Sequence, residues 1–265
     1  MIIDCHTHLG RNEHIKASVK QLLDSMDKAG IDKSLVFASE LADYPTYEML
    51  KEIEPHRDRL FGVASWNFRY TQALSGNYGT WALGNHQRDI LSKLYKAGHI
   101  VAVKFYTGYD HYMPGSDQVR YALDEFNRVG CPVIFHSGDC LNSAKCAKLK
   151  YAHPLHIDEI AVDYPNINIV IAHMGFPWHR DAAQVCYKNA NVYADISGFV
   201  YGDFSGVALH KFSEVLQEFL DIAPPEKLLF GTDFPISNQK SYLNAAGMTL
   251  SPQALSENVK KAFEL

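Results

Sequence analysis

The sequence predicts an α/β protein folded as a single (β/α)8 (TIM) barrel spanning residues 1–265. Three observations carry that expectation. Short runs rich in Val, Ile and Phe alternate with longer amphipathic runs along the whole chain. Eight such β-rich runs occur in it. Its 265 residues match the length, typically about 250, that eight βα units fill.

The β-rich runs are Met1–His8, Ser34–Ser39, Leu60–Asn67, Ile100–Thr107, Val133–Ser137, Ile167–Met174, Val192–Ser197 and Leu228–Asp233, several followed directly by Gly or Pro. Helical patterns lie between them. Val19, Leu22, Leu23, Met26 and Ala29 keep a 3.6-residue period up to Gly30. Ile90, Leu91, Leu94 and Ala97 do the same up to Gly98, and Val119, Ala122, Leu123, Phe126 and Val129 up to Gly130. Ile157, Ile160 and Ala161 precede Pro165, and Val207, Phe212, Val215, Leu216, Phe219 and Leu220 precede Pro224-Pro225. Strands alternating with helices imply a parallel sheet with right-handed crossovers. An open doubly wound sheet is the competing topology, but no GxGxxG or Walker loop follows a strand, so nucleotide binding has no support. The segment Phe68–His86, rich in Tyr, Gly, Asn and Thr, is the least regular and is expected to cover the barrel mouth.

Composition narrows the partners. Hydrophobic residues make up 47% and charged residues 21%, an ordinary globular balance. Thirty acids against twenty-five bases give a net charge of −5, which argues against nucleic acid as main partner. No apolar run approaches the roughly 18 residues of a membrane helix, and no membrane partner is expected. The start Met1-Ile2-Ile3-Asp4 shows no basic leader before an apolar stretch, and the five scattered cysteines form no CxxC pair; both point to reduced thiols in a cytoplasmic protein. Thirteen histidines supply neutral metal ligands or proton carriers.

The polar residues at strand ends carry the chemistry. His6 and His8 lie two apart in a strand, so they share a face with Cα atoms roughly 6.6 Å apart, a spacing at which two imidazoles can meet one metal. Lys104, His136, His173 and Asp233 each come at the C-terminal end of an otherwise apolar run. If Lys104 points inward, Val101, Val103 and Phe105 face the helices; if His136 does, Val133 and Phe135 do; if Asp233 does, Leu228 and Phe230 do. Taken singly each has a bland explanation: a hydrogen-bonded histidine, a snorkelling lysine, a turn aspartate. Together they converge on one rim, where a cation relieves the cost of burying them. Three imidazoles and one carboxylate are the N/O donor set of an open catalytic zinc site.

Taken in order, these marks resemble the amidohydrolase superfamily, in its amidohydrolase-related branch often called amidohydrolase 2. The resemblance rests on Ile2-Ile3-Asp4-Cys5-His6-Thr7-His8-Leu9-Gly10, Val103-Lys104-Phe105, Phe135-His136-Ser137-Gly138, His153–Ile160, Ile171-Ala172-His173-Met174-Gly175-Phe176-Pro177-Trp178 and Leu229-Phe230-Gly231-Thr232-Asp233-Phe234-Pro235, with Ser256-Glu257-Asn258-Val259 similar to the closing helix of the family. The resemblance implies that His6, His8, His136 and Asp233 ligate one divalent metal, zinc being favoured. It implies that His173 handles the proton or nucleophile. Lys104 matches the position of a lysine that is carboxylated and bridges two ions in two-metal relatives, so a second ion is the alternative. Homo-oligomers are common in the family.

The chemistry expected is attack of a metal-activated water on a small ester, lactone or amide. Asp233 would act as general base and then acid, His173 would orient the nucleophile, and Lys104 would stabilise the oxyanion. Trp66, Tyr106, Trp178, His179 and Arg180 are expected to contact the small-molecule substrate, and Glu40, Asn67, Tyr109, His111, Tyr201 and Arg11 are further pocket candidates. A decarboxylase of an aromatic or muconate-like acid is the second expectation, and a barrel that binds a ligand without turnover the third.

Overall fold

The computed structural model describes residues 1–12, 15–39, 45–66, 80–251 and 253–265. Eight parallel strands are arranged in chain order: β1 (Ile3–His8), β2 (Lys33–Phe37), β3 (Leu60–Trp66), β4 (Ala102–Phe105), β5 (Val133–Phe135), β6 (Ile169–Ile171), β7 (Val192–Asp195) and β8 (Leu228–Leu229). The chain beyond β8 returns to β1 through hydrogen bonds from Cys5 N to the Phe230 carbonyl (2.9 Å) and from Asp233 N to the His6 carbonyl (2.8 Å). The sheet is thereby a nearly closed barrel. Helices α1 (Val19–Ala29), α2 (Thr46–Ile53), α3 (Thr80–Lys96), α4 (Asp117–Val129), α5 (His156–Asp163), α6 (His179–Lys188), α7 (Gly206–Leu220) and α8 (Gln239–Ala246) each follow one strand, and α9 (Glu257–Phe263) comes after them. The architecture is the expected (β/α)8 barrel. No helix among the described residues is long and apolar enough to cross a membrane.

Local chemistry sets the helix ends. Ser18 and Gln21 cap α1 reciprocally, satisfying backbone donors that the first turn leaves over. Gly30 and Gly130 end α1 and α4 with φ of 80° and 74°, a conformation glycine adopts without a Cβ clash.

The core has two layers, as parity requires. Inside the barrel Ile3, Cys5, Leu35, Phe37, Val63, Ala102, Ile134, Val170 and Leu229 pack with Val259, Ala262 and Phe263 of α9. Between sheet and helices lie Val103, Phe105, Val133, Phe135, Ile169, Ile171, Leu228 and Phe230 with Leu22, Met26, Phe126, Ile160 and Phe212. The pairing of β1 with β2 shifts between Asp4 and Thr7. That irregularity lets Cys5 face the inner layer while the next residue, His6, also faces inward.

The observed elements differ from the expected ones in two ways. Six strands end two or more residues before the expected C-terminal ends: β2 stops at Phe37, β4 at Phe105, β5 at Phe135, β6 at Ile171, β7 at Asp195 and β8 at Leu229. The chain leaves the ladder there because it must turn over the barrel rim. Helices α2, α6 and α8 also lie where the apolar period is faint: the buried residues of α6 include Ala182, Ala183, Val185 and Cys186, and those of α8 include Tyr242, Ala245 and Ala246. Small side chains pack closely without marking a strong hydrophobic stripe. The helix expected around Ile90 begins at Thr80. Residues 67–79, most of the segment expected over the mouth, lie outside the described residues, as do Glu40 and Asn67.

Candidate metal centre

His6 and His8 project from β1 and Lys104 from β4; His136 directly follows β5, His173 lies in the turn Ala172–Gly175 after β6, and Asp233 lies in the turn after β8. All six line one cavity of about 340 Å³ at the C-terminal mouth of the barrel. His173 and Asp233 hold φ of 59° and 67°, left-handed values that non-glycine residues seldom take. These turns bend the two side chains off the strand direction and back over the mouth. Gly198 permits the crowding, since a Cβ there would stand 2.6 Å from His173 Nδ1 and 3.2 Å from Asp233 Oδ2.

Three donors meet at a single point. His8 Nε2 lies 3.3 Å and His6 Nε2 3.8 Å from Asp233 Oδ1, and the ligand atoms of this trio all fall within 4.8 Å of one another. Donors on a tetrahedral zinc with bonds near 2.0–2.1 Å stand roughly 3.4 Å apart, so the trio fits such an ion. His6 Nε2 is buried with no hydrogen-bond partner among the described residues, and so is Lys104 Nζ. His136 stands apart from the trio. Its ring lies 5.0 Å from that of His173, and its Nε2 donates to the Asp139 carbonyl at 2.9 Å, which leaves Nδ1 as the nitrogen with a free lone pair.

Electrostatics hold these groups in ligand form. Burial pushes His6 down to about 3, although Asp195 pulls the other way. Burial also holds His136 and His173 below the usual imidazole range. Burial opposes ionisation of Asp233, yet the bond from His8 and the nearby His6 and His173 hold its carboxyl well below the usual range. Neutral imidazoles and an ionised carboxylate are the states a divalent cation binds. Lys104 is brought down to about 8 by burial, against the pull of Asp195 and Asp233.

Two residues behind the site escaped the sequence reading. Asp195 Oδ2 accepts from His6 Nδ1 at 2.9 Å, the usual way a carboxylate orients a metal-binding imidazole. Ser197 Oγ lies 2.5 Å from Asp195 Oδ1, 3.0 Å from His6 Nδ1 and 2.9 Å from His173 Nδ1. A signal for Asp195 was present, because it ends the apolar run Val192–Ala194 as Asp233 ends its own. Asp4, buried beneath the trio, accepts from Thr232 N (3.0 Å), Thr232 Oγ1 (2.6 Å) and Gln239 Nε2 (2.8 Å), and so ties β1 to the turn that carries Asp233. Burial pushes its carboxyl up to about 6.

The residues expected around the substrate divide. Tyr106, Tyr109 and Tyr201 line the cavity. Trp66, Trp178, His179 and Arg180 do not, which corrects the expectation that they form its walls. Ser65 pairs with Lys104 and Trp66 with Phe105, so Trp66 shares the outward face and stacks on Phe105 at 5.8 Å. The turn after β6 carries the chain outward before α6 starts. There Trp178 packs on His153 (4.7 Å), His179 Nε2 bonds Glu218 (2.8 Å), and the exposed Arg180 lies 3.7 Å from Glu218. Arg11 pairs with Glu48 and Glu52, and His111 Nε2 with the Cys146 carbonyl at 2.6 Å.

Comparison with known proteins agrees with the fold. The amidohydrolase family model matches residues 3–264. Among curated proteins, Protein fluG of Emericella nidulans is 28% identical over 102 residues, 38% of this chain and 11% of that protein, so the match spans about a tenth of that relative's length. Among solved structures, an uncharacterised TIM-barrel protein of Bordetella bronchiseptica superposes with a TM-score of 0.74 at 18% identity, covering 99% of this chain and 98% of that one. A probable 2-pyrone-4,6-dicarboxylic acid hydrolase of Acinetobacter baumannii gives 0.68 at 16% identity, covering 100% and 99%. A 5-carboxyvanillate decarboxylase of Sphingomonas paucimobilis gives 0.68 at 9% identity, also covering 100% and 99%. At these identities the likeness is one of fold.

Proposed function

The chain belongs to the amidohydrolase family, and on that premise we propose that it is a metal-dependent hydrolase cleaving a small ester, lactone or amide. The observation that carries this reading is the trio His6, His8 and Asp233 lining a cavity that His6 Nε2 and the Lys104 amine also border, neither with a hydrogen-bond partner among the described residues. One divalent ion, zinc in preference to others, would be held by that trio, with His136 the next imidazole in line. When bound it supplies Lewis acidity and lowers the pKa of water from 15.7 to about 7.

The chain's own residues do the rest. The Asp233 carboxylate takes the proton of the attacking water and returns it to the leaving group. His173, packed 4.8 Å from the ring of His6, orients that water. The Lys104 amine, in its charged form, stabilises negative charge growing on the substrate oxygen. Tyr106 is held by the bond from its hydroxyl to the Ala38 carbonyl (2.8 Å), so its ring stands as a fixed wall.

The test is a panel of small esters, lactones and amides offered to the zinc-reconstituted protein. Asp233→Asn should keep the fold by circular dichroism and lose on the order of 10²–10⁴ of the turnover number. A variant with near wild-type rate would remove Asp233 from the chemistry. The aromatic walls Tyr106, Tyr109, Phe176, Phe199 and Tyr201 also suit a flat ring, which supports the second reading, decarboxylation of an aromatic acid. Release of CO2 from aromatic acids without ester or lactone cleavage would move the assignment there. A protein that binds no zinc at all would leave the ligand-binding barrel.

A further inference from the structure

We propose that Ser197 and Asp195 of the β7 turn act together as positioning residues, putting His6 and His173 in the same tautomer so that both present a bare Nε2 to the cavity. The proposal rests on the metal-centre reading above for what that Nε2 is used for, but its geometry stands alone. Asp195 and Ser197 are each only 1% exposed, so no bulk water can substitute for either partner.

Proton counting fixes the roles. A serine hydroxyl has one proton and two lone pairs, and an ionised carboxylate can only accept. Asp195 Oδ1 accepts from the backbone N–H of His173 (3.1 Å) and of Ser197 (3.0 Å). The Ser197 hydroxyl, 2.5 Å from the same oxygen, must therefore spend its proton there. Its oxygen is then an acceptor toward its remaining neighbours, His173 Nδ1 at 2.9 Å and His6 Nδ1 at 3.0 Å. Among the described residues the one other hydrogen-bond partner of His173 Nδ1 is the Ser197 carbonyl at 3.2 Å, which is also an acceptor. Nδ1 of His173 thus carries its proton and Nε2 its lone pair. Nδ1 of His6, flanked by Asp195 Oδ2 and Ser197 Oγ, is forced the same way. One turn on β7 therefore sets two imidazoles that reach it from β1 and from the turn after β6. The turn is itself held, because the buried Tyr242 hydroxyl donates to the Ile196 carbonyl (2.5 Å) and accepts from Phe199 N (3.0 Å).

The two members separate by what they touch. Asp195→Asn can offer an amide proton to His6 Nδ1 and so favours the wrong tautomer; metal affinity should fall 10–100-fold. Ser197→Ala leaves the Asp195–His6 bond in place; zinc affinity should stay within about threefold, while His173, left with the longer contact to the residue-197 carbonyl (3.2 Å), should hold its Nδ1 proton less firmly. The direct readout is nitrogen-15 NMR of histidine-labelled, zinc-loaded protein. His6 and His173 should both show protonated Nδ1 in the wild type, and in Ser197→Ala only His173 should shift toward a mixture. A wild-type His173 with its proton on Nε2 overturns the proposal without any variant having to fold. So does a Ser197→Ala spectrum unchanged at His173. These signals do not depend on turnover: correct tautomers in a protein that cleaves no ester, lactone or amide would sink the proposed function and leave this inference intact.

Discussion

At Lys104 a primary amine sits 1% exposed inside the barrel, its Nζ 5.2 Å from the centre of the Phe37 ring and without a hydrogen-bond partner among the described residues. Burial brings its pKa from 10.5 to about 8. The folded state therefore binds fewer protons than the unfolded chain between those values, and stability from this group rises with pH across that window. Below pH 8 the buried charge costs on the order of 3 kcal/mol. In metal-free protein, Lys104→Met should therefore be more stable than wild type at pH 7. The gain should shrink as pH rises from 8 to 10, and urea midpoints at pH 7 and 9.5 would measure it. A gain independent of pH would mean that packing and not charge explains the difference. A residue retained at such a cost is there for chemistry, and losing it should lower turnover in the zinc-loaded enzyme.

The turn that follows β7 is the element most tightly matched to the site. Gly198 and Gly202 both take φ of 72°, but only Gly198 has neighbours where a Cβ would go. The two alanine substitutions therefore make a controlled pair. Gly202→Ala should lose about 1 kcal/mol, the strain of a left-handed alanine, and keep its activity. Gly198→Ala carries that strain and also presses on His173 and Asp233, so thermal melts should show a larger loss and kinetics a fall in kcat of tenfold or more. Equal behaviour of the pair would mean that the approach of Gly198 to the site is not needed. The strands illustrate how far patterning reaches. Alternation placed Val103, Val133 and Leu228 outside and Lys104 inside correctly, because the period of two is a property of any strand, but Val101, expected outside, precedes the strand and packs against the inner layer. The same patterning extended the strand ends too far and put Trp66 on the cavity wall, since nothing in local composition marks where the ladder yields to the rim.

Taken whole, the molecule brings residues from position 6 to position 233 to one point, and an ion held there binds only the folded chain. Removing it should cost stability by mass action, about 2.7 kcal/mol when the free ion stands a hundredfold above its dissociation constant, or roughly 5–10 °C in melting temperature for a chain of this size. Chelator should lower the melt of the purified protein and zinc restore it, while His8→Ala should lose most of that response. A melt indifferent to both would show that the trio holds no metal. Read from sequence alone, the barrel was legible because burying a parallel sheet on both faces imposes a rhythm of apolar runs. The strand-end polar residues were legible because each interrupts such a run. What only the tertiary structure decided is which of these groups touch: the trio excluding His136, the outward drift of Trp178, His179 and Arg180, and the Asp195–Ser197 pair behind two histidines. Periodicity specifies the face a side chain takes along its own element. Contacts between elements depend on where each turn crosses the rim, and those turns are set by left-handed backbone at His173 and Asp233 and by close approach at Gly198, which no local pattern encodes.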